Sequence, residues 1–340
     1  MKTGPVTQQD IAKKLNVSRV TVSKALRNHP DISIEMKEKV KKAVEEMGYS
    51  PNLLAKQLSL GKTFTLGIVI PDLENSFFAY LIDSIIDTAT ERNYHIILTV
   101  SREREEIEKQ NILNLIGMRV DGLLVCVSQL TTCPDVFKYA RKLGIPLVFF
   151  DRAIKNIGFR YVVFDDQKGT TDAINQVVNE GYNKIAHFAG YGNINIGKER
   201  RDSYQAALKK NGISVNKKWI IEGGYEIEDG YKAFETLNSS SNLPEVILAV
   251  NDRVALGAYK AIRKAGLKIP EDIGIIGYGF SETALLFSPT LSIINQDPRV
   301  MGRTAANLLI DEIQGVSTTS TSDILIDEDL QWNNSISKKK

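Results

Sequence analysis

The chain has 340 residues, 43% hydrophobic and 25% charged, with a formal net charge of +2. It is longer than one typical domain, and its composition is that of an ordinary soluble globular protein. No run of 18 apolar residues marks a membrane span, and no basic segment followed by an apolar stretch opens the chain. Cys126 and Cys133 lack metal-ligand spacing, so a cytoplasmic, reduced protein without membrane contact, metal or cofactor is expected.

The charge is unevenly placed. Residues 1–62 hold twelve lysines and arginines against six carboxylates, so positive charge gathers at one end, as a nucleic-acid-binding face requires. Residues 7–15 and 18–28 read as two short amphipathic helices joined by a tight turn at Asn16-Val17, a helix-turn-helix. Ile11, Ala12 and Leu15 form the inward stripe of the first helix. At about 100° per residue, Val22, Ala25 and Leu26 of the second helix turn inward. Arg19, Val20, Ser23, Lys24 and Arg27 share the opposite face, within about 140° of arc. Cations there can reach phosphates or guanine edges, and a valine tip suits a thymine methyl. Ser18 is placed to cap this helix, with Thr21 three residues on. A third helix follows: Ser33 caps it, Met36, Val40, Ala43, Val44 and Met47 recur at helical spacing, and Gly48 ends it. Its outer side carries Lys37, Lys39, Lys41 and Lys42.

After Gly61-Lys62, short apolar runs alternate with helical stretches. Strands are expected at 65–70, 94–100, 121–127 and 146–150, with helices near 77–92, 104–117 and 134–143. The alternation repeats with strands at 184–189, 245–250 and 273–277, and helices near 168–180, 197–211, 228–238 and 252–265. This is an α/β, doubly wound parallel architecture given twice, which binds ligands in the crevice outside the strand C-termini. Polar and aromatic residues gather at those ends: Asp72, Asn75, Phe77 and Phe78; Cys126 and Ser128; Asp151-Arg152; Tyr191, with Arg200 in the next helix; and Asn251-Asp252. A DNA reader and a receptor on one chain imply a ligand-controlled transcription factor.

The runs Asp10-Ile11-Ala12-Lys13-Lys14, Val17-Ser18, Thr21-Val22-Ser23-Lys24-Ala25-Leu26, Gly48-Tyr49-Ser50-Pro51-Asn52 and Ala55-Lys56-Gln57-Leu58 resemble the lac/purine repressor (LacI/GalR) family. The resemblance continues to about residue 330. It implies a helix-turn-helix domain at 1–51, a hinge helix and linker at 52–62, and a two-lobed, periplasmic-binding-protein-like effector domain at 63–340. Lobe one would span about 63–163 and 295–324, and lobe two about 164–294 and 325–333. Arg19, Val20 and Lys24 would lie at base-reading positions, with Thr7, Ser18, Thr21, Ser23 and Asn28 around them on the DNA. Asn52, Ala55 and Leu58 would enter the minor groove, with Leu58 as the wedge at the operator centre. A hinge this short cannot hold a helix alone in water, so DNA and a homodimer partner would order it.

For the receptor, the resemblance implies that Phe77 and Phe78 stack on or wall the effector, that Asp151, Arg200 and Asn251 bond it, and that Tyr225 walls the second lobe. Gln296 matches a residue where the chain crosses back between lobes, and Asp252 is expected to N-cap the next helix. Three residues depart from the pattern: Gly279 where sugar-responsive members carry an acid, Cys126 where a polar side chain is common, and Ser203 where glycine is usual. The expected effector is a sugar or sugar derivative; the alternatives are a non-sugar metabolite and a protein partner. An enzyme is not expected, because no phosphate- or dinucleotide-binding glycine motif is present and His29, His95 and His187 form no site. A transport binding protein would need an export signal and have no use for residues 1–60.

Overall fold

The computed structural model describes residues 6–49, 62–240, 242–316 and 323–339. The expected hinge residues Asn52, Ala55 and Leu58 lie outside the described residues. Two compact units are present, one up to Thr63 and one from Phe64 onward.

The first unit holds α1 (Gln8–Leu15), α2 (Arg19–Leu26) and α3 (Ile34–Met47). Each starts on a hydroxyl cap. Thr7 and Asp10 form a reciprocal capping box on α1, and Ser18 Oγ accepts the Thr21 N–H at 3.0 Å to open α2. Ser33 Oγ accepts from Met36 N at 3.3 Å, and Gly48, at φ +64°, ends α3 in the left-handed region that glycine adopts without strain. Ile11, Ala12, Val22, Ala25, Val40 and Ala43 close into one small core. Leu26 differs from expectation. It is 37% exposed and stands outside that core. It is the last residue of a two-turn helix, and the stripes of α1 and α3 are already filled by Val22 and Ala25.

The second unit is built on two six-stranded sheets. One lobe runs β1 (Thr65–Ile70), α4 (Ser76–Glu91), β2 (His95–Val100), α5 (Glu105–Gly117), β3 (Gly122–Val125), α6 (Asp135–Lys142), β4 (Leu147–Phe150) and β5 (Arg160–Phe164). The other runs α7 (Asp166–Asn179), β6 (Ile185–Ala189), α8 (Asn195–Lys210), β7 (Ile220–Glu222), α9 (Ile227–Asn238), β8 (Val246–Ala249), α10 (Asp252–Lys264), β9 (Gly274–Gly279), the single-turn α11 (Ser281–Ala284) and β10 (Ser292–Asn295). Then α12 (Pro298–Gln314) and β11 (Ile324–Ile326) rejoin the first lobe, and β12 (Asp329–Gln331) joins the second.

The strand orders are β11-β5-β4-β3-β1-β2 and β12-β10-β9-β8-β6-β7. Every pairing is parallel except the edge pair β10 with β12. Parallel strands covered on both faces read as unbroken apolar runs, which is why Leu66, Ile68, Val69 and Ile70 of β1 are all fully buried. The sequence pattern contains no expectation of β5, β7, β10, β11, β12 or α12. The missed strands are three to five residues long, and several carry a charge within the run. Helices α9 and α10 meet backbone to backbone. A Cβ on Gly230 would lie 1.9 Å from the Val254 carbonyl oxygen, and one on Gly257 would lie 1.9 Å from that of Ile227.

The chain passes between the sheets three times: at Asp165-Asp166 after β5, at Gln296-Asp297 after β10, and at Asp327-Glu328 between β11 and β12. Among the described residues no helix is long and apolar enough to cross a membrane. Nor does any cluster of His, Cys, Asp and Glu there suit a metal.

Candidate nucleic-acid interface and cleft between the lobes

On α2 the expected outward face splits in two. Val20 is 63% exposed, and Arg19 is exposed with no hydrogen bond or ion pair among the described residues. The other side chains are held. Lys24 Nζ lies 2.9 Å from Asp31, and Arg27 folds back to donate to Ser23 Oγ at 2.9 Å and the Ser23 carbonyl at 3.2 Å. Ser18 and Thr21 bond each other through their hydroxyls at 2.9 Å, and Thr7 is spent on its cap. Asn28 takes a left-handed φ of 55° just past the helix, and its carbonyl accepts from Lys37 at 3.4 Å. Arg19 and Val20 are thus presented ready, whereas Lys24 must leave Asp31 before it contacts anything else.

In the second unit a cleft of about 530 Å³, open to solvent, lies where the strand ends of the two sheets face each other. Nine of the ten residues expected to bind effector line it: Asn75, Phe77, Phe78, Asp151, Arg200, Tyr225, Asn251, Gly279 and Gln296. Arg152, Ile196, Asp252, Tyr278 and Phe280 line it as well. Asn75 caps α4 by accepting from Phe77 N at 3.0 Å, which turns Phe77 and Phe78 toward the opening, edge to face at 5.6 Å.

Cys126 is a correction. It is fully buried and does not line the cleft; its thiol lies behind Asp151, 3.6 Å from a carboxylate oxygen. Its place in β3's continuation turns it into the sheet, and burial, then the Asp151 charge, push its thiol far up. Asn251 and Asp252 both line the cleft, and the helix cap expected of Asp252 falls to Asn251. Asn251 is the cap, accepting from Val254 N at 2.8 Å while its amide donates to the Tyr225 carbonyl at 2.9 Å. Asp252, the first residue of α10, faces the cleft.

Asp151 takes a left-handed φ of 59° at the end of β4, a conformation an aspartate tolerates but seldom adopts. This directs its carbonyl to Asn195 Nδ2 at 3.1 Å, while Asn195 Oδ1 accepts from Ala153 N at 2.9 Å. Asn195 opens α8 on the opposite lobe, so one asparagine ties the two walls together. Asn193 donates to the Gln129 carbonyl at 2.6 Å, and Lys155 pairs with Glu199 across the same mouth. Burial raises the Asp151 carboxyl above its ordinary range, against the pull of Arg152 and Arg200.

The two arginines are already engaged. Arg200, 3% exposed, sets Nε and Nη2 each 2.7 Å from Asp166 Oδ1, donates to the Val250 carbonyl, and lies 3.7 Å over the Tyr278 ring. Burial works against its charge, but Asp166, Tyr278 and Glu328 together more than offset that cost and hold the guanidinium charged. Behind it, the Gln296 amide donates to Glu328 and reaches Asp166 at 3.3 Å. All three interlobe crossings therefore meet at one buried polar cluster around Arg200. Arg152 donates to Glu103 at 2.7 Å and lies 4.9 Å over the Tyr225 ring. Its Nε, 3.9 Å from Asp151 Oδ2, and the Tyr225 hydroxyl are buried without a hydrogen-bond partner among the described residues. Arg152 and Asp252 already stood among the strand-end residues of the sequence, and Tyr278 and Phe280 flank Gly279, itself singled out. Ile196 gave no signal, being a plain helix aliphatic.

Comparison with known proteins agrees with both units. Residues 7–52 match the model described as "Bacterial regulatory proteins, lacI family", and residues 63–334 match "Periplasmic binding proteins and sugar binding domain of LacI family". The chain is 31% identical over 313 residues to the HTH-type transcriptional repressor PurR of Vibrio vulnificus, covering 91% of this chain and 92% of that one. It is 30% identical over 305 residues to catabolite control protein A of Priestia megaterium, covering 89% and 91%. Among solved structures, the lac repressor dimer bound to operator and the anti-inducer ONPF superposes with a TM-score of 0.88 at 25% identity, over 98% of this chain and 99% of that one. A helix-turn-helix unit followed by two parallel-sheet lobes around a cleft, matched along nearly its whole length, makes this chain a member of the LacI family of DNA-binding, effector-responsive transcriptional regulators, which are not enzymes.

Proposed function

We propose that the chain represses transcription as a homodimer on a near-palindromic operator, under control of a sugar or sugar derivative bound between its lobes. In this reading residues 1–51 read DNA, 52–62 form the hinge and 63–340 form the receptor. The observation that carries it is the cleft lining: phenylalanine rings on one wall, and Arg152 Nε and the Tyr225 hydroxyl buried without hydrogen-bond partners among the described residues. Unpartnered buried polar groups are costly, and a hydroxyl-rich ligand supplies what they lack. Similarity to the ribose operon repressor of Haemophilus influenzae and to the regulator CelR in its cellobiose complex supports a sugar. One helix-turn-helix per chain, and likeness to a repressor solved as a dimer on operator, support the homodimer. Ligand would shift the angle between lobes and hence the spacing of the hinges, and the coupling must be reciprocal between ligand and DNA.

Calorimetry against a broad set of sugars, sugar phosphates and nucleosides tests the input. Binding should appear with one of them and fall at least about tenfold in Asp151→Asn, which removes a charged acceptor. Silence across the whole set would leave a protein partner as the input. On the DNA side, Arg19→Ala should cost about 1–3 kcal/mol of specific binding and relax the preferred sequence, because this side chain is already free to reach a base edge. Selection from a random DNA pool, followed by titration at several salt concentrations, measures both effects. An equal loss on specific and random DNA would place Arg19 on phosphate instead.

A further inference from the structure

The second-lobe wall carries a carboxylate that the geometry leaves open to the cleft. Gly279 ends β9 at φ +154°, and a Cβ built there would lie 3.1 Å from the Asp252 carboxyl carbon and 3.1 Å from its Oδ2. The bare glycine therefore leaves open the space directly beside the Asp252 carboxylate, on a wall where both residues line the cleft. The carboxylate is positioned rather than loose. Thr283 Oγ1 lies 2.8 Å from Oδ2 and 2.7 Å from the Phe280 carbonyl, its one proton serving both acceptors, and Asp252 stands in the first turn of α10, where helix N–H groups favour an anion. Burial, resisted by the Thr283 bond, nonetheless raises its pKa.

Among the described residues no cation is bonded to it. Its neighbour Arg253 is turned to Glu226, with Nε 3.1 Å from the carboxylate, while Arg152 and Arg200 are engaged by Glu103 and Asp166. A ligand entering here meets an acceptor with lone pairs to fill, and both cleft arginines already neutralised.

We propose that Asp252 is the specificity-determining acceptor of the second-lobe wall: beside bare Gly279, its carboxylate takes hydrogen bonds from hydroxyl or amino groups of an uncharged or amino-bearing sugar and rejects phosphorylated or carboxylated ones. The proposal rests on the reading that a sugar occupies the cleft. The rejection is electrostatic. An anion brought against a second buried anion finds both cleft arginines already charge-paired with Glu103 and Asp166, and the single open N–H of Arg152 serves a neutral hydroxyl without that repulsion.

The test uses the purified full chain and calorimetry with D-ribose, D-glucose, D-galactose, D-glucosamine, D-gluconate and D-glucose 6-phosphate. An uncharged or amino sugar should bind, and Asp252→Asn, which keeps shape and the Thr283 bond, should weaken it at least about tenfold. Gly279→Ala should weaken it too, by setting a methyl group against the carboxylate. Thr283→Ala loosens the carboxylate without altering it and should cost less than Asp252→Asn, which guards against a variant that merely misfolds. Tighter binding of gluconate or glucose 6-phosphate, or unchanged sugar binding in Asp252→Asn, overturns the proposal and leaves the sugar cleft standing. Failure of every compound to bind overturns the sugar cleft and the proposal together.

Discussion

Arg200→Met should destabilise the receptor unit by about 3–5 kcal/mol, the cost of removing one partner from a buried ion pair and leaving the other charged. The structure explains why this position is so sensitive. Asp166 is 2% exposed and both of its close donors on Arg200 sit at 2.7 Å, and Glu328 lies in the same cluster through Gln296. Without the guanidinium, two carboxylates share a space that water does not reach. The Val250 carbonyl and the face of Tyr278 lose their partner as well. Urea unfolding followed by circular dichroism measures the change, and a melting temperature lower by roughly 10 °C is the thermal equivalent for a domain this large. Adding Asp166→Asn to Arg200→Met should recover part of the loss, since it removes the anion that was left behind. A single variant within about 1 kcal/mol of the parent would show that Arg200 is not the centre of this cluster. The result also governs how ligand experiments are read: an Arg200 variant that fails to respond to ligand can fail by unfolding, which is why Asp151 and Asp252 are the better probes of the cleft.

The role of Arg200 marks where sequence reasoning stopped. Its arrival at the cleft follows from strand and helix alternation, as do those of Asp151, Asn251 and Phe77, because parallel sheets place their binding loops at one end. Its partner does not follow. Asp166 is 34 residues away and Glu328 another 128, on a loop between two three-residue strands that no periodicity announces. The small DNA-reading unit was legible almost throughout, because caps and stripes are local: Thr7, Ser18 and Ser33 each cap the helix that follows. Leu26 failed because spacing gives direction but not how far a neighbour extends. The cap expected of Asp252 fell to Asn251 because both residue types cap helices; Asn251 Oδ1 takes the Val254 N–H while its amide is anchored on the Tyr225 carbonyl. His187, unremarkable in sequence, is a core residue of β6 whose Nδ1–H donates to the Leu248 carbonyl at 2.9 Å.

Stability of the receptor unit should fall as pH rises through neutrality, and Glu328→Gln should flatten that fall. Glu328 is buried, with Oε1 bonded by Gln296 and Oε2 unpartnered. Burial, and then the charge of Asp166, raise its pKa well above the 4.5 of a free glutamate, against the pull of Arg200; Asp165 adds to the rise. One cation thus faces two buried carboxylates, and the folded cluster keeps a proton that the unfolded chain releases. For an acid raised in this way, the contribution to stability is complete below the unfolded value and is lost as pH climbs through the folded one. Glu108 acts in the same direction. Burial pushes it up to about 7, although Ser128 N donates to it at 2.6 Å. His187 acts in the opposite direction but elsewhere: burial lowers it to about 4, so its contribution is lost only as pH falls below 6.5. Melting curves between pH 6.5 and 9 therefore leave His187 out and report on the raised carboxyls, and the Glu328→Gln variant separates Glu328 from the rest. Glutamine at 328 keeps the acceptor for Gln296 and places a neutral amide at the orphaned oxygen, so it needs no proton. Variant and parent differ least below about pH 4.5; the lead of the variant should widen from pH 6.5 to about 8 and then hold to pH 9, with the residual slope belonging to Glu108 and the other raised carboxyls. Parallel melting profiles for parent and variant would mean that Glu328 is ionised in the folded protein and that Arg200 balances both carboxylates at once.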